Sequence, residues 1–212
     1  MNQMQHDFVD GPVARDYSEM LGTPFKVFLS NGVEEKIDKK SGKLKTSIVD
    51  LPGLIATIVQ ARVLHPRKFS GKDLKYIRSA LAMRSFQVAE ALDISPEHYS
   101  RCESGTKTLS TSAEKLLRMC AFYLAQCKDV SFLEERKEAK SVSELSDEER
   151  EAAREAVGAF RSVFFDMKIE NVFEAGKELE LSFSRGCREH IEDESCNDER
   201  GKWRERHEKV AA

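Results

Sequence analysis

Val88-Ala89-Glu90-Ala91-Leu92-Asp93-Ile94-Ser95-Pro96-Glu97-His98-Tyr99-Ser100-Arg101-Cys102-Glu103-Ser104-Gly105 holds two short helical patterns and the break between them. Val88, Ala89 and Leu92 recur at helical spacing. Asp93-Ile94 interrupts that period as a tight turn, and Ser95-Pro96-Glu97 restarts it. Serine is a good N-cap, and proline in the first helical position has no hydrogen bond to lose. In the second helix Tyr99 and Cys102 fall inward, which leaves Glu97, His98 and Arg101 outward. Ser104-Gly105 ends it with the residue that adopts a left-handed cap at no steric cost.

The pattern extends in both directions. Upstream, Ser70-Gly71-Lys72-Asp73 opens a helix lined by Leu74, Ile77, Ala80 and Leu81. Before it, Asp50-Leu51-Pro52 starts another, with Leu54, Ile55, Ile58, Val59 and Val63 on one face. His65-Pro66 stops that helix, because the residue before proline is pushed out of the α region. Downstream, Thr111-Ser112-Ala113-Glu114 reads as a capping box for a helix with the stripe Leu116, Leu117, Cys120 and Leu124. Charge follows the same boundaries. Residues 61–128 carry 12 Lys/Arg against 6 Asp/Glu, residues 1–60 carry 7 against 8, and residues 129–212 carry 15 against 23. A basic middle between a neutral head and an acidic tail suggests a polyanion-binding module with appended regulatory or assembly parts.

Two short helices joined by a tight turn in a small basic bundle form the helix-turn-helix pattern. Residues 71–124 resemble the Xre/Cro-type helix-turn-helix transcriptional regulators. The resemblance rests on Val88-Ala89, Asp93, Ser95 and Glu103-Ser104-Gly105, which stand where that family has its apolar-Ala helix, turn, recognition-helix cap and closing Glu-x-Gly. Arg78 matches an arginine that in the family pairs with the glutamate seen here as Glu103, so the two are expected as a structural pair. With Ala113-Glu114-Lys115-Leu116-Leu117-Arg118 the stretch is also similar to the DNA-binding part of MqsA/YgiT-like antitoxins. The chain departs from the family pattern at three places. Arg84 and Ser85 replace a capping serine and a phosphate-touching glutamine, and Asp93 replaces the turn glycine. Residues 1–60 contain no cysteine, which excludes the N-terminal zinc module of MqsA-like proteins.

The flanks read differently. Residues 1–24 have no sustained period. Phe25–Ser30, the dipeptide Asn31-Gly32 and the stretch from Val33 predict a hairpin with a type I′ turn. Lys39-Lys40-Ser41-Gly42 and a strand over Leu44–Val49 extend it to a meander. After a polar connector over Lys128–Lys140, Ser146-Asp147-Glu148-Glu149 opens a helix with Ala152, Ala156, Ala159, Phe160, Val163 and Phe164 on its apolar face. Phe160, Phe164 and Phe165 there serve either as a dimer surface or as packing for the strands that follow. Val172, Phe173, Leu179, Leu181 and Phe183 suggest one or two strands around Gly176, and the chain from Arg185 on is densely charged. The expected fold is therefore α+β: a central all-α helix-turn-helix bundle flanked by a small N-terminal antiparallel β meander and a C-terminal helix-plus-strand region. The expected divisions are 1–50 for the lead-in and meander, 51–128 for the DNA-binding domain, 129–184 for the C-terminal helix and strands, and 185–212 for a charged, mobile tail.

Several function classes are excluded or unsupported. The 212 residues contain no apolar run near the roughly 18 residues that span a bilayer, and the start MNQMQHDFVDG has no signal-peptide pattern. Cysteines at 102, 120, 127, 187 and 196 are odd in number and lack CxxC spacing, so reduced thiols in the cytoplasm are expected. Cys187, His190, Cys196 and His207 are metal-ligating types whose spacing matches no strong finger pattern, and no metal is assigned to them. No GxSxG, P-loop, GxGxxG or HExxH motif occurs, so no catalytic residue and no cofactor is expected.

These readings lead to a sequence-specific, homodimeric repressor on double-stranded DNA. Glu97, His98 and Arg101 would read base edges in the major groove, where the arginine fork matches guanine O6 and N7. Arg84, Ser85, Ser95, Lys107 and Thr108, at helix starts or just past the recognition helix, would hold phosphates. The alternative is an antitoxin-like interaction module that neutralises a toxin-like partner protein through the β-rich head or the C-terminal region and autoregulates its operon.

Overall fold

From Leu51 to Gln126 the chain is helical wherever the apolar period runs, and it breaks where a proline, a capping serine or a left-handed residue intervenes. The computed structural model describes residues 14–37, 42, 44–126, 146–147, 151, 161–170, 178–186 and 202–206. In chain order these form β1 (Arg15–Asp16), α1 (Ser18–Leu21), β2 (Lys26–Leu29), β3 (Val33–Ile37), β4 (Leu44–Ile48), α2 (Leu51–Leu64), α3 (Gly71–Ala80), α4 (Ser85–Ala91), α5 (Pro96–Glu103), α6 (Thr111–Gln126), a π-helical turn (Arg161–Phe165), β5 (Glu180–Gly186) and β6 (Lys202–Arg206). The chain is thus a mixture of helix and strand, and it divides into two units. One is Pro52–Lys177; the other joins Met1–Leu51 to Glu178–Ala212.

The helical unit closes over Val59, Val63, Phe69, Leu74, Ile77, Val88, Ala89, Leu92, Tyr99, Cys102, Leu109, Leu117, Ala121 and Ala125. Beside this core lies an ionic node. Arg62 of α2 forks onto Asp73 of α3, Nε to Oδ1 at 2.9 Å and Nη2 to Oδ2 at 3.1 Å. It also donates to the carbonyls of Arg67 (3.0 Å) and Lys68 (3.2 Å). Arg118 of α6 pairs with Glu114 at 2.8 Å and donates to the carbonyls of Val63 (2.8 Å), His65 (2.6 Å) and Arg67 (2.8 Å). Glu114 Oε1 accepts the Phe69 amide at 2.9 Å, and both guanidinium carbons lie within 4.6 Å of the Phe69 ring centroid. The node thus satisfies the Val63 carbonyl in the last turn of α2 and those of His65, Arg67 and Lys68 in the half-buried segment that follows.

Two details of the helical reading change. The buried seam of α6 is Glu114, Leu117, Arg118, Ala121 and Ala125, whereas Leu116 is 40% exposed and Cys120 and Leu124 are half-buried. The expected Thr111–Glu114 capping box does not form: Ser110 Oγ accepts the Ala113 amide, and the Glu114 carboxylate is drawn into the node. Phe164 is buried, and its ring meets that of Phe122 on α6 edge-on at 5.5 Å. Most of the helix expected after residue 146, the connector over 128–140, Phe160, Val172, Phe173 and Gly176 lie outside the described residues.

The second unit corrects the meander. β2 and β3 do not form a hairpin; they belong to different sheets. One sheet runs β1-β2-β5-β6, with β2 parallel to β5 in the register Val27↔Leu181 and Leu29↔Phe183. The other pairs β3 with β4 from Val33↔Ile48 to Ile37↔Leu44. Asn31 is diverted from turn-making because its amide clasps the backbone of one β5 residue on both sides: Nδ2 donates to the Arg185 carbonyl (2.9 Å) and Oδ1 accepts the Arg185 amide (2.7 Å). Gly32, at φ +72°, lies so close to Trp203 that a Cβ would fall 2.6 Å from the indole ring. The indole N–H in turn donates to the Val49 and Asp50 carbonyls. The expected boundary at 184/185 falls inside β5, and part of the supposed mobile tail forms β6, antiparallel to β5. Strand alternation puts Val27, Leu29, Leu181, Phe183 and Trp203 in this unit's core, together with Phe25.

Two consequences of the node can be measured. Arg118→Leu takes the guanidinium from the buried Glu114 carboxylate, which keeps the Phe69 amide and Lys68 at 3.5 Å, and leaves the Val63 and His65 carbonyls without their donor. It should lower stability by about 3–5 kcal/mol in urea unfolding, and a loss under about 1 kcal/mol would contradict the role given to it. His65 is held neutral by its burial and by Arg62, Arg118 and Arg67, which lower its pKa from 6.5 to about 4. A proton therefore binds the unfolded chain more readily, and stability should fall as pH drops from about 6.5 to about 4. This adds a slope of up to about 1.4 kcal/mol per pH unit. His65→Asn, which keeps an acceptor for the Arg67 amide now bound by Nδ1, should flatten that slope.

Candidate nucleic-acid interface

The α4–α5 pair is built from turn chemistry. Arg84 stands at the start of α4, where a capping oxygen would usually sit, and Gln87 compensates by reaching back to accept the Arg84 amide at 2.8 Å. Asp93 takes φ +53° between the helices, a conformation that Asp adopts at lower cost than most residues. Ser95 caps α5, its Oγ accepting the His98 amide at 3.1 Å, and Pro96 follows in the first turn. At the far end Gly105 has φ +77°, and the Arg101 carbonyl accepts both Ser104 Oγ (3.1 Å) and the Lys107 amide (3.0 Å).

Three contacts hold α5 from behind. Tyr99 and Cys102 are buried in the core. Arg78 Nε donates to Glu103 Oε1 at 2.6 Å, while its Nη1 donates to the Met83 carbonyl at 3.1 Å. This one arginine ties α3 to the end of α5 and to the segment that leads into α4. Gly71, the first residue of α3, meets the end of α5 backbone to backbone. A Cβ there would press on the Glu103 carbonyl and lie 2.6 Å from that of Cys102.

The outer face is uncommitted. Glu97, Ser100 and Arg101 are exposed, as are Arg84, Ser95, Lys107 and Thr108; His98 and Ser85 are half-buried. Among the described residues, nothing hydrogen-bonds or ion-pairs with the charged ends of Arg84, Glu97, Arg101 or Lys107. The Ser95 hydroxyl, by contrast, is occupied as a cap. Ser100, which sequence reading passed over, shares the outer face with Glu97 and Arg101; its i+3 spacing from Glu97 was the available signal. Gly71 gave no such signal, because only the approach of α5 requires it.

Cys102 lies in the core of this unit and Cys120 is half-buried. Burial pushes the pKa values of Cys102 and Cys120 upward, which keeps both protonated at neutral pH. Among the described residues no His, Cys, Asp and Glu cluster could hold a metal, and Cys127, Cys187, His190, Cys196 and His207 lie outside them. No helix of the described residues is long and apolar enough to cross a membrane. Compared with the models of known families, with curated proteins and with solved structures, the chain matches none.

Gly71→Ala should force α3 and α5 apart and cost about 1–3 kcal/mol, the range for overpacking a tight contact. Thermal unfolding checks it: an unchanged melting temperature would mean that the helix ends do not need this approach.

Proposed function

We propose that the chain is a sequence-specific double-stranded DNA-binding regulator of the Xre/Cro helix-turn-helix type, acting as a homodimeric repressor with α5 as its recognition helix. The observation that carries this reading is the two-sidedness of α5. Its inner side is fixed by Tyr99, Cys102, Glu103 and the Gly71 contact, while Glu97, Ser100 and Arg101 face outward with their polar ends unspent. A rigid helix with free polar groups along one side is what major-groove readout requires. Arg101 supplies the guanine fork, and Glu97 accepts from cytosine N4. Arg84, Lys107 and Thr108 contact phosphates, which fix register without reading sequence.

An inverted-repeat operator needs a two-fold partner. Leu116 (40% exposed) and Tyr123 (47%) on α6, with Val163 (40%) and Phe165 (61%) on the π-helical turn, supply apolar surface for it. Lys115 Nζ donates to the Phe165 carbonyl, joining these two pieces within one unit.

Two substitutions separate base readout from charge. Arg101→Ala should weaken the specific site by about 1–3 kcal/mol and relax preference at one base pair per half-site. Lys107→Ala should weaken specific and scrambled duplexes alike and reduce the salt slope by about 0.9 for each phosphate that is no longer neutralised. Fluorescence anisotropy across a salt series, with circular dichroism as a folding check, distinguishes them. Wild-type affinity and preference in both variants would remove α5 as the reader.

A further inference from the structure

The 7 basic residues of the near-neutral segment 1–60 are unevenly placed: five of them, Lys36, Lys39, Lys40, Lys43 and Lys45, fall within residues 36–45. Two of these meet across a strand pair. Lys36 on β3 and Lys45 on β4 are direct cross-strand partners. Both are exposed. Like charges directly opposite one another destabilise a strand pair, and a two-stranded ribbon has little stability to spare. Only Lys36 has an ion-pair partner among the described residues, Glu34 at 2.7 Å, and so exposed a pair contributes little. Lysines on open edges do discourage edge-to-edge pairing. Staggered lysines would do that without facing each other. The segment joining the strands, 38–43, adds three more lysines against one aspartate in its sequence.

We propose that the β3–β4 ribbon is a second nucleic-acid contact, with Lys36 and Lys45 on the phosphate backbone of duplex DNA. A major groove admits a two-stranded ribbon as readily as a helix, and phosphate charge relieves the repulsion between the two ammonium groups. The contact is sequence-independent, since neither lysine presents a planar fork to a base edge. The proposal takes its polyanion from the regulator reading of α5, but its residues lie in the other unit of the chain.

The test uses the full-length chain and the double variant K36Q/K45Q. Its affinity should fall on the order of tenfold for specific and scrambled duplexes equally, with the salt slope smaller by up to about 1.8, two phosphates at about 0.9 each. Its melting temperature should stay level or rise, because the opposed charges are gone. Unchanged DNA affinity and slope would overturn the proposal, as would a lowered melting temperature. A loss of binding seen on anionic phospholipid vesicles but not on DNA would overturn it in favour of a membrane surface. If Arg101→Ala keeps wild-type site preference while K36Q/K45Q loses affinity, the ribbon stands and the α5 reading falls; the reverse result removes the ribbon alone. A wild-type chain that binds no duplex removes both.

Discussion

Arg62 and Arg118 sit almost wholly out of solvent and gather the carbonyls of Val63, His65, Arg67 and Lys68 around the Phe69 ring. The path of the chain between α2 and α3 depends on that arrangement, because an irregular segment can be interior only if its acceptors are met. The same segment delivers Ser70 and Asp73 to cap α3. The start of α3 then receives the end of α5 at Gly71, and its last turn sends Arg78 to Glu103. A buried ion pair is not in itself more stabilising than a well-packed apolar one. What the two forks add is directionality: a guanidinium accepts only one arrangement of the carbonyls and carboxylates around it.

Both ends of α2, the start of α3 and both ends of α5 were legible because each is marked by a local rule: Pro52, His65-Pro66, Ser70 with Asp73, Ser95-Pro96 and Gly105. The seam of α6 was not. A search for an apolar stripe passes over Glu114 and Arg118, since each is tolerable inside only in the presence of the other and of carbonyls more than forty residues away. Asn31-Gly32 failed for a related reason. The dipeptide favours a hairpin turn, but the clasp on Arg185 and the closeness of Trp203 make a stronger demand on it. Strand alternation at Val27 and Leu29, and again at Leu181 and Phe183, can be read locally; that these strands pair with each other cannot. At the proposed interface the outward placement of Glu97 and Arg101 followed from periodicity, whereas Gly71 and Gln87 matter through backbone groups that no spacing rule reveals.

Arginine plays two opposite parts in the basic middle of the chain. Arg62, Arg78 and Arg118 are spent internally on Asp73, Glu103 and Glu114. Setting those three pairs aside leaves nine basic side chains against three acidic ones, Glu90, Asp93 and Glu97, over residues 61–128. The imbalance offered to a polyanion is thus steeper than the raw composition implies. It also falls on groups such as Arg84, Arg101 and Lys107 that have no internal competitor among the described residues.

The parallel pairing of β2 with β5 joins segments about 150 residues apart, with the whole helical unit encoded between them. A ribosome adding roughly 5–20 residues per second needs on the order of ten to thirty seconds to travel that distance. Helical units whose contacts are mostly local fold in about milliseconds or less. The helices can therefore finish while β2 still has β1 on one side and no partner on the other, an edge that stays open until Leu181 and Phe183 emerge. Connectivity alone thus sets an order of assembly during synthesis, with the helical unit complete before the sheet that embraces it in sequence can begin to close.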